Sequence, residues 1–375
     1  MGSLIDGPVQ KILLTGATGY LGTHLLAGLL ESRDISVRCL VRAENAVKAK
    51  ERVVHSLEQF MLWKPEWSQR LDVIAADLGE AFLGLTQAEF IGLGKDVDVI
   101  IHNGASVNYV LSYEQLKGVN VNGTQELLRL AEDTRIPFVY VSTLRLFDSR
   151  FDGVPITELD KVDEKGTTYA GYSRSKWMAE KLINLAGRRG LPFLIVRPGL
   201  ICGDEVCGIP NVNDAVARLV KGCVEIGLAP LSALQVNLTP IDYVVKGVIG
   251  LLYHHNSSGK VFHLVNDKPT RCDDIMHTLK DMGYGLQLLA YDEWTQRLRD
   301  SAATGNNFLL PLLQYFDADL PRQSQQRVFD SQYTQSYLAH MGIEPSPVTI
   351  KMLRKNIEGM IKFGFISAPN ISAHA

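Results

Sequence analysis

Several features are missing from this chain, and each absence removes a class of protein. No apolar run is long enough to cross a bilayer, and no charged, apolar leader opens the chain. Neither a membrane partner nor export is therefore expected, and the expected setting is cytoplasmic. Asp6 stands where an N-myristoylation signal needs Ser or Thr, which argues against a lipid anchor. The five cysteines (Cys39, Cys202, Cys207, Cys223 and Cys272) form no C-x-x-C pair, so buried free thiols are expected rather than a disulfide framework. The histidines do not cluster as metal ligands; the adjacent His254 and His255 read as a solvated pair, and no metal is expected. No G-x-S-x-G occurs, so the hydrolase nucleophile elbow is absent. Neither sign of charge is in excess: a formal net charge of −3 gives no footprint for nucleic acid or an anionic surface. There is no internal repeat and no low-complexity tract.

What is present is a chain of 375 residues, 46% hydrophobic and 21% charged, enough for one large domain with an appendage or for two domains. Ile12 to Leu14 reads as a buried strand. Gly16, Gly19 and Gly22 follow at three-residue spacing, and Leu21, Leu25, Leu26, Leu29 and Leu30 then recur at helical spacing. A strand, a glycine turn and a helix in that order bring backbone N–H groups and a helix N-terminus to one point, which suits a pyrophosphate. Further strands are expected at Val37–Val41, Leu71–Ala75, Val97–Ile101, Phe138–Val141, Phe193–Val196 and Val261–Val265. Helical segments are expected over 44–60, 113–132, 168–188, 211–226 and 239–253. This alternation predicts an α/β fold: a Rossmann-type, doubly wound parallel sheet with a smaller, mainly helical C-terminal domain. The expected division is 1–268 for the dinucleotide-binding domain, with a substrate-side helical insertion near 204–236, and 269–375 for the helical domain, its tail fraying from Ala368. Pro311, Pro321, Pro345 and Pro347 punctuate that last part.

An acidic residue at the end of the second strand would suit the ribose of NAD. Arg42 stands there instead, with Lys48 and Arg52 close by, and a guanidinium suits a 2′-phosphate, so NADPH is the expected cofactor. Tyr172 and Lys176 form a Y-x-x-x-K, one helical turn apart and on one face. A lysine cation lowers the pKa of a neighbouring phenol, and the pair can then exchange a proton with a carbonyl oxygen as hydride reaches carbon. Tyr169 is a rival, but Ser173 rather than lysine lies four residues on. Thr143, just past the fifth strand, is placed to donate to the same oxygen, whereas alternation turns Ser142 the other way. Asn103-Gly104-Ala105 would lie under the cofactor's ribose and Asp77-Leu78 by its adenine. Taken singly, each of these also reads as an ordinary polar strand terminus.

Together these residues resemble the extended short-chain dehydrogenase/reductases and, within them, the thioester reductase domains of nonribosomal peptide and polyketide synthetases, carboxylic acid reductases and aminoadipate reductases. The resemblance rests on Leu14–Gly22, Cys39–Ala43, Leu62-Trp63, Ile101–Ala105, Tyr140–Thr143, Gly171–Glu180, Arg197–Gly199 and Thr239–Val244. It implies a catalytic triad of Thr143, Tyr172 and Lys176. It places NADPH against Gly16, Thr18, Gly19, Tyr20, Leu21, Arg42, Lys48, Arg52, Asp77, Leu78, Asn103, Gly104, Ala105, Tyr172, Lys176, Arg197, Pro198, Gly199 and Ile201. It also implies a substrate: an acyl or peptidyl thioester on the phosphopantetheine arm of a carrier protein, released as an aldehyde or, after a second hydride, an alcohol. Arg145 departs from the pattern, a charge where a small or apolar residue is expected; it would alter the pocket or pair with an acidic substrate group. Two other readings stay open on sequence alone, a reductase of free carbonyl compounds or acyl-CoA, and an NADP-binding regulatory protein without redox chemistry.

Overall fold

The computed structural model describes residues 3–5, 7–32, 35–108, 110–147, 153–162, 170–204, 206, 208–302, 309, 316, 320 and 328–369. Cys207, Tyr169, Pro311, Pro321 and residues 370–375 lie outside the described residues, as does the expected start of a helix at 168. In chain order the first half holds β1 (Lys11–Thr15), α1 (Tyr20–Ser32), β2 (Ser36–Val41), α2 (Ala46–Gln59), β3 (Leu71–Ala75), α3 (Gln87–Lys95), β4 (Val99–His102), α4 (Tyr113–Lys117), α5 (Gly123–Thr134), β5 (Phe138–Val141), α6 (Gly171–Arg188) and β6 (Phe193–Pro198). Then come β7 (Leu200–Cys202), α7 (Ala215–Ile226), β8 (Leu228–Leu231), β9 (Gln235–Val236), β10 (Leu238–Pro240), α8 (Ile241–Tyr253) and β11 (Lys260–Leu264). The last part holds β12 (Thr270–Arg271), α9 (Cys272–Asp281), β13 (Gln287–Ala290), α10 (Tyr291–Ala302), α11 (Gln332–Leu338) and α12 (Ile350–Lys362).

Seven strands make one parallel sheet in the order β11-β6-β5-β4-β1-β2-β3. Its central strands are largely apolar because both faces are covered: every residue of β4, β5 and β6 is buried, His102 and Arg197 at their carboxyl ends included. Alternation sorts their side chains. Ile12 and Leu14 face the core shared with α1, α2 and α8, whereas Leu13 faces the core shared with α3, α5 and α6. Each such buried leucine or isoleucine contributes about 1.5–3 kcal/mol relative to exposure.

A third core lies beside the sheet. It draws on both sides of residue 268: α7 and β8 before it, α9, α10 and α12 after it. Leu338, in α11, packs back into the first core. Pairs of short strands (β7 with β10, β9 with β12, β8 with β13) join these segments. The expected helix over 113–132 is two helices, α4 and α5, joined through a π turn at Gly118–Asn122. Among the described residues, no helix is long and apolar enough to cross a membrane.

Candidate active site

The sheet order places the site. The chain after β1 runs towards β2 and β3, the chain after β4 runs towards β5 and β6, and the crevice between them opens at the carboxyl ends of β1 and β4. Gly16 occupies it with φ +72°, a left-handed conformation that a side chain would strain. A Cβ at Gly22 would lie 1.9 Å from the Gly16 carbonyl oxygen, so the turn closes directly onto α1. Thr15 Oγ1 accepts the Gly104 N–H at 2.9 Å and donates to His102 Nδ1 at 2.8 Å; His102 Nε2–H in turn donates to Thr124 Oγ1 at 2.9 Å. Burial, and then the Lys176 charge, hold His102 well below the usual imidazole range, so this chain runs through a neutral ring. The result is a rigid cradle of backbone N–H groups at the N-terminus of α1, which fits the pyrophosphate of a dinucleotide.

A cavity of about 1010 Å³ runs from this cradle. Gly16, Thr18, Gly19, Tyr20 and Leu21 line its start, and Asn103, Gly104 and Ala105 line the β4 side. Thr143, Tyr172 and Lys176 line its middle, with Pro198, Gly199 and Ile201 opposite. Asp77 and Leu78 stand off the lining: the Asp77 carboxylate accepts the Gly79 N–H at 2.9 Å, and Leu78 packs against Gly104 and Gly123. The three basic candidates sit beyond the lining at the end of β2 and on α2. Lys48 is paired with Glu51 at 2.7 Å, and Arg52 donates to the Arg42 carbonyl oxygen. Arg42 is exposed and, among the described residues, its guanidinium is in no ion pair. Arg197 is a correction. Its side chain does not reach the cavity but turns under α6, paired with Glu180 at 2.7 and 3.0 Å and buried against the Phe147 ring.

The positions of Thr143, Tyr172 and Lys176 follow from local structure. Tyr172 and Lys176 occupy the first turns of α6 and are both buried, Lys176 to 2% exposure. The Lys176 Nζ donates to the Val141 carbonyl oxygen at 2.7 Å and lies 4.5 Å from the Tyr140 ring centroid. Burial pushes its ammonium down to about 7, against a smaller upward pull from Glu180. Thr143 caps a short 3-10 turn, Leu144–Leu146: its Oγ1 accepts the Arg145 N–H at 3.2 Å, which leaves the hydroxyl proton for another acceptor. Ser142 also lines the cavity, but its Oγ is buried and, among the described residues, has no hydrogen-bond partner. Leu219, Leu234, Val236, Phe316 and Phe329 also line the cavity, with Arg145 and Asp214 on its wall. Asp214 caps α7 through the Ala217 N–H at 2.7 Å. Burial pushes its carboxyl up to about 6; the N–H groups of Ala217 and Val216 and the charges of Arg145 and Arg218 oppose that.

The NAD-binding family described as "Male sterility protein" matches residues 14–248. The solved terminal R domain from the myxalamid PKS-NRPS biosynthetic pathway superposes with a TM-score of 0.89 at 37% identity, over 97% of this chain and 94% of that one. The chain belongs to the terminal reductase domains of the extended short-chain dehydrogenase/reductases. These are NAD(P)-dependent oxidoreductases of nonribosomal peptide and polyketide synthetases. One of the proteins that make up the linear gramicidin synthase of Brevibacillus parabrevis is 36% identical over 78% of the reductase chain. The nonribosomal peptide synthetase asaC of Aspergillus flavus (strain ATCC 200026) is 33% identical over 96% of it. The chain spans 6% and 37% of the lengths of these two relatives.

One part of the reductase site was not read from sequence. Asn120, in the π turn, holds Ser106 with both ends of its amide (2.7 and 3.1 Å) and donates to Ser175 Oγ at 2.9 Å. Ser175 in turn donates to the Tyr172 carbonyl oxygen at 2.7 Å. The loop after β4 and the helix bearing the tyrosine are thereby fixed to each other. The only sequence signal was the break in helical period before Gly123, and π turns do occur at functional sites.

Proposed function

We propose that this reductase domain releases an acyl or peptidyl thioester from the phosphopantetheine arm of a carrier protein as an aldehyde, with NADPH as reductant. The observation that carries the reading is one cavity lined by the glycine cradle, by Thr143, Tyr172 and Lys176, and by apolar side chains such as Leu219, Leu234 and Phe316. The cradle would hold the pyrophosphate, and Arg42, exposed at the end of β2, is the residue proposed for the 2′-phosphate. NADPH, when bound, supplies the hydride. The chain's own residues do the rest. Thr143 and Tyr172 donate hydrogen bonds to the substrate oxygen as it gains negative charge. Tyr172 then passes its proton to that oxygen, and Lys176 stabilises the phenolate left behind; the resulting hemithioacetal collapses, its C–S bond breaking so that the hydroxyl proton leaves with the pantetheine thiol and the aldehyde remains. The water-poor pocket around Lys176 strengthens these interactions.

The test follows NADPH consumption with acyl-carrier protein, acyl-CoA and free aldehyde in parallel. Reduction of the carrier-bound thioester is expected, and activity on free carbonyl compounds alone would overturn the reading. Tyr172→Phe should cut turnover by about 10²–10⁴-fold, the usual contribution of a positioned acid, with the Kd for NADPH nearly unchanged. Undiminished reduction by that variant would remove Tyr172 from its assigned role.

A further inference from the structure

Arg145 and Asp214 have no part in the chemistry proposed above, yet both stand on the wall of the cavity that Thr143 lines. They come from different elements. Arg145 lies two residues after Thr143, in the same turn, with its backbone N–H on the threonine oxygen at 3.2 Å. Its side chain therefore starts within a residue of where the substrate carbonyl must sit. Asp214 comes from the start of α7, where its carboxylate accepts the Ala217 N–H at 2.7 Å. A carboxylate offers about four lone-pair sites, so capping the helix leaves Asp214 acceptor capacity, and the residue is only 8% exposed. Asp267, the third charged residue on the wall, comes from the segment after β11. The polar Asn211, Gln235 and Asn237 also line the cavity, beside the apolar Leu219, Leu234 and Phe316.

This mixture is selective against hydrocarbon. A plain alkyl chain would strip water from a guanidinium and a carboxylate and return no hydrogen bond to either. A secondary amide does return them: its C=O accepts from a guanidinium, and its N–H donates to a carboxylate. In a peptidyl thioester the amide nitrogen is two bonds from the reacting carbon, within reach of a side chain anchored beside Thr143. We infer that Arg145 and Asp214 are specificity-determining residues that read the amide adjacent to the thioester, so that the domain prefers N-acylated aminoacyl chains to hydrocarbon acyl chains. This rests on the thioester-reductase reading above.

The test uses three pantetheine thioesters of one shape: N-acetylalanyl, its ester analogue with oxygen for N–H, and its hydrocarbon analogue without amide or ester. The readout is kcat/KM for NADPH consumption, taken as ratios within each variant so that a general loss of activity cancels. The wild-type chain should favour the amide over both analogues by about 10- to 100-fold, the range of a hydrogen bond to a charged group. Asp214→Ser keeps a capping hydroxyl for α7 and should bring the amide-to-ester ratio close to one. Arg145→Leu, on a separate element, should collapse the amide-to-hydrocarbon ratio, and Arg145→Lys should restore part of it. Equal use of all three substrates by the wild type, or ratios unchanged in both variants, would overturn the inference while leaving thioester reduction standing. Reduction of free aldehyde with none of the three thioesters consumed would overturn both.

Discussion

Asp214 shows how far a single side chain can depart from its solution behaviour. Its folded carboxyl titrates near 6, above its ordinary value of 3.8, and burial is the leading cause. The sign follows directly. Below about pH 4 both folded and unfolded chains hold the proton and the position costs nothing. Between the two pKa values the folded protein keeps a proton that the unfolded chain has lost, so stability falls as pH rises through that window. By neutral pH the full cost is present, at most roughly 3 kcal/mol for a shift of about two units. Asp214→Asn keeps a favourable cap and removes the charge. It should therefore stabilise the protein by roughly 1–3 kcal/mol at pH 7.5, with the gain gone by pH 4. Urea denaturation at the two pH values measures this, and an equal effect at both would refute it. At this scale the sequence was legible wherever one residue's neighbours are local. Tyr172 and Lys176 share a face because a helical turn puts them there, and Thr143 and Ser142 were told apart by alternation alone. Arg197 was misread because its partner, Glu180, comes from another element, and nothing in an Arg-Pro-Gly strand end announces that contact.

Among the elements, α6 has the strictest placement. It carries Tyr172 and Lys176, and one turn further on Glu180 clamps it to Arg197 of β6, with both side chains 7% exposed or less. His263 stands against the same guanidinium and is pushed down to about 3 by burial, so it adds no second positive charge. Removing one member of such a pair is worse than removing both. Arg197→Met should cost about 3–5 kcal/mol, because it leaves the Glu180 carboxylate buried and unpaired. The double variant Glu180→Leu/Arg197→Met should recover most of that loss in thermal melts. A double variant no more stable than Arg197→Met would show that the clamp matters for something other than its charge balance. The sheet strands themselves were legible, β3 and β5 at their observed bounds, because short apolar runs bounded by turn residues have few alternatives in an alternating α/β chain. The strands of two to four residues from β7 to β10, β12 and β13 were not, since so few residues set no period.

At the scale of the whole molecule, the sheet domain and the third core meet at Cys202, Gly203, Gly208 and Ile209, which are gripped from both sides. On one side Tyr20, in the first turn of α1, donates its hydroxyl to the carbonyl oxygens of Ile209 at 2.9 Å and Cys202 at 3.2 Å. On the other, Asn356 of α12 accepts the Gly203 N–H at 2.8 Å, and Phe363 just past the end of that helix stacks on Phe60 with centroids 6.0 Å apart. The closest approach is backbone on backbone: a Cβ at Gly359 would lie 2.4 Å from the Gly208 carbonyl oxygen. No division of the sequence at one point could have revealed this, because Gly203 and Asn356 are 153 residues apart. Gly359→Ala should push α12 off Gly208 and cost about 1–3 kcal/mol, the usual range for overpacking. The cradle touches this interface through Tyr20, whereas Asn211 and Asp214 on the cavity wall follow it directly in the chain. The variant should therefore raise KM for the thioester while the Kd for NADPH changes little. A loss of NADPH affinity equal to the loss of substrate affinity would mean instead that the two halves of the cavity respond as one body, with the Tyr20 contact to Cys202 and Ile209 transmitting the displacement to the glycine turn.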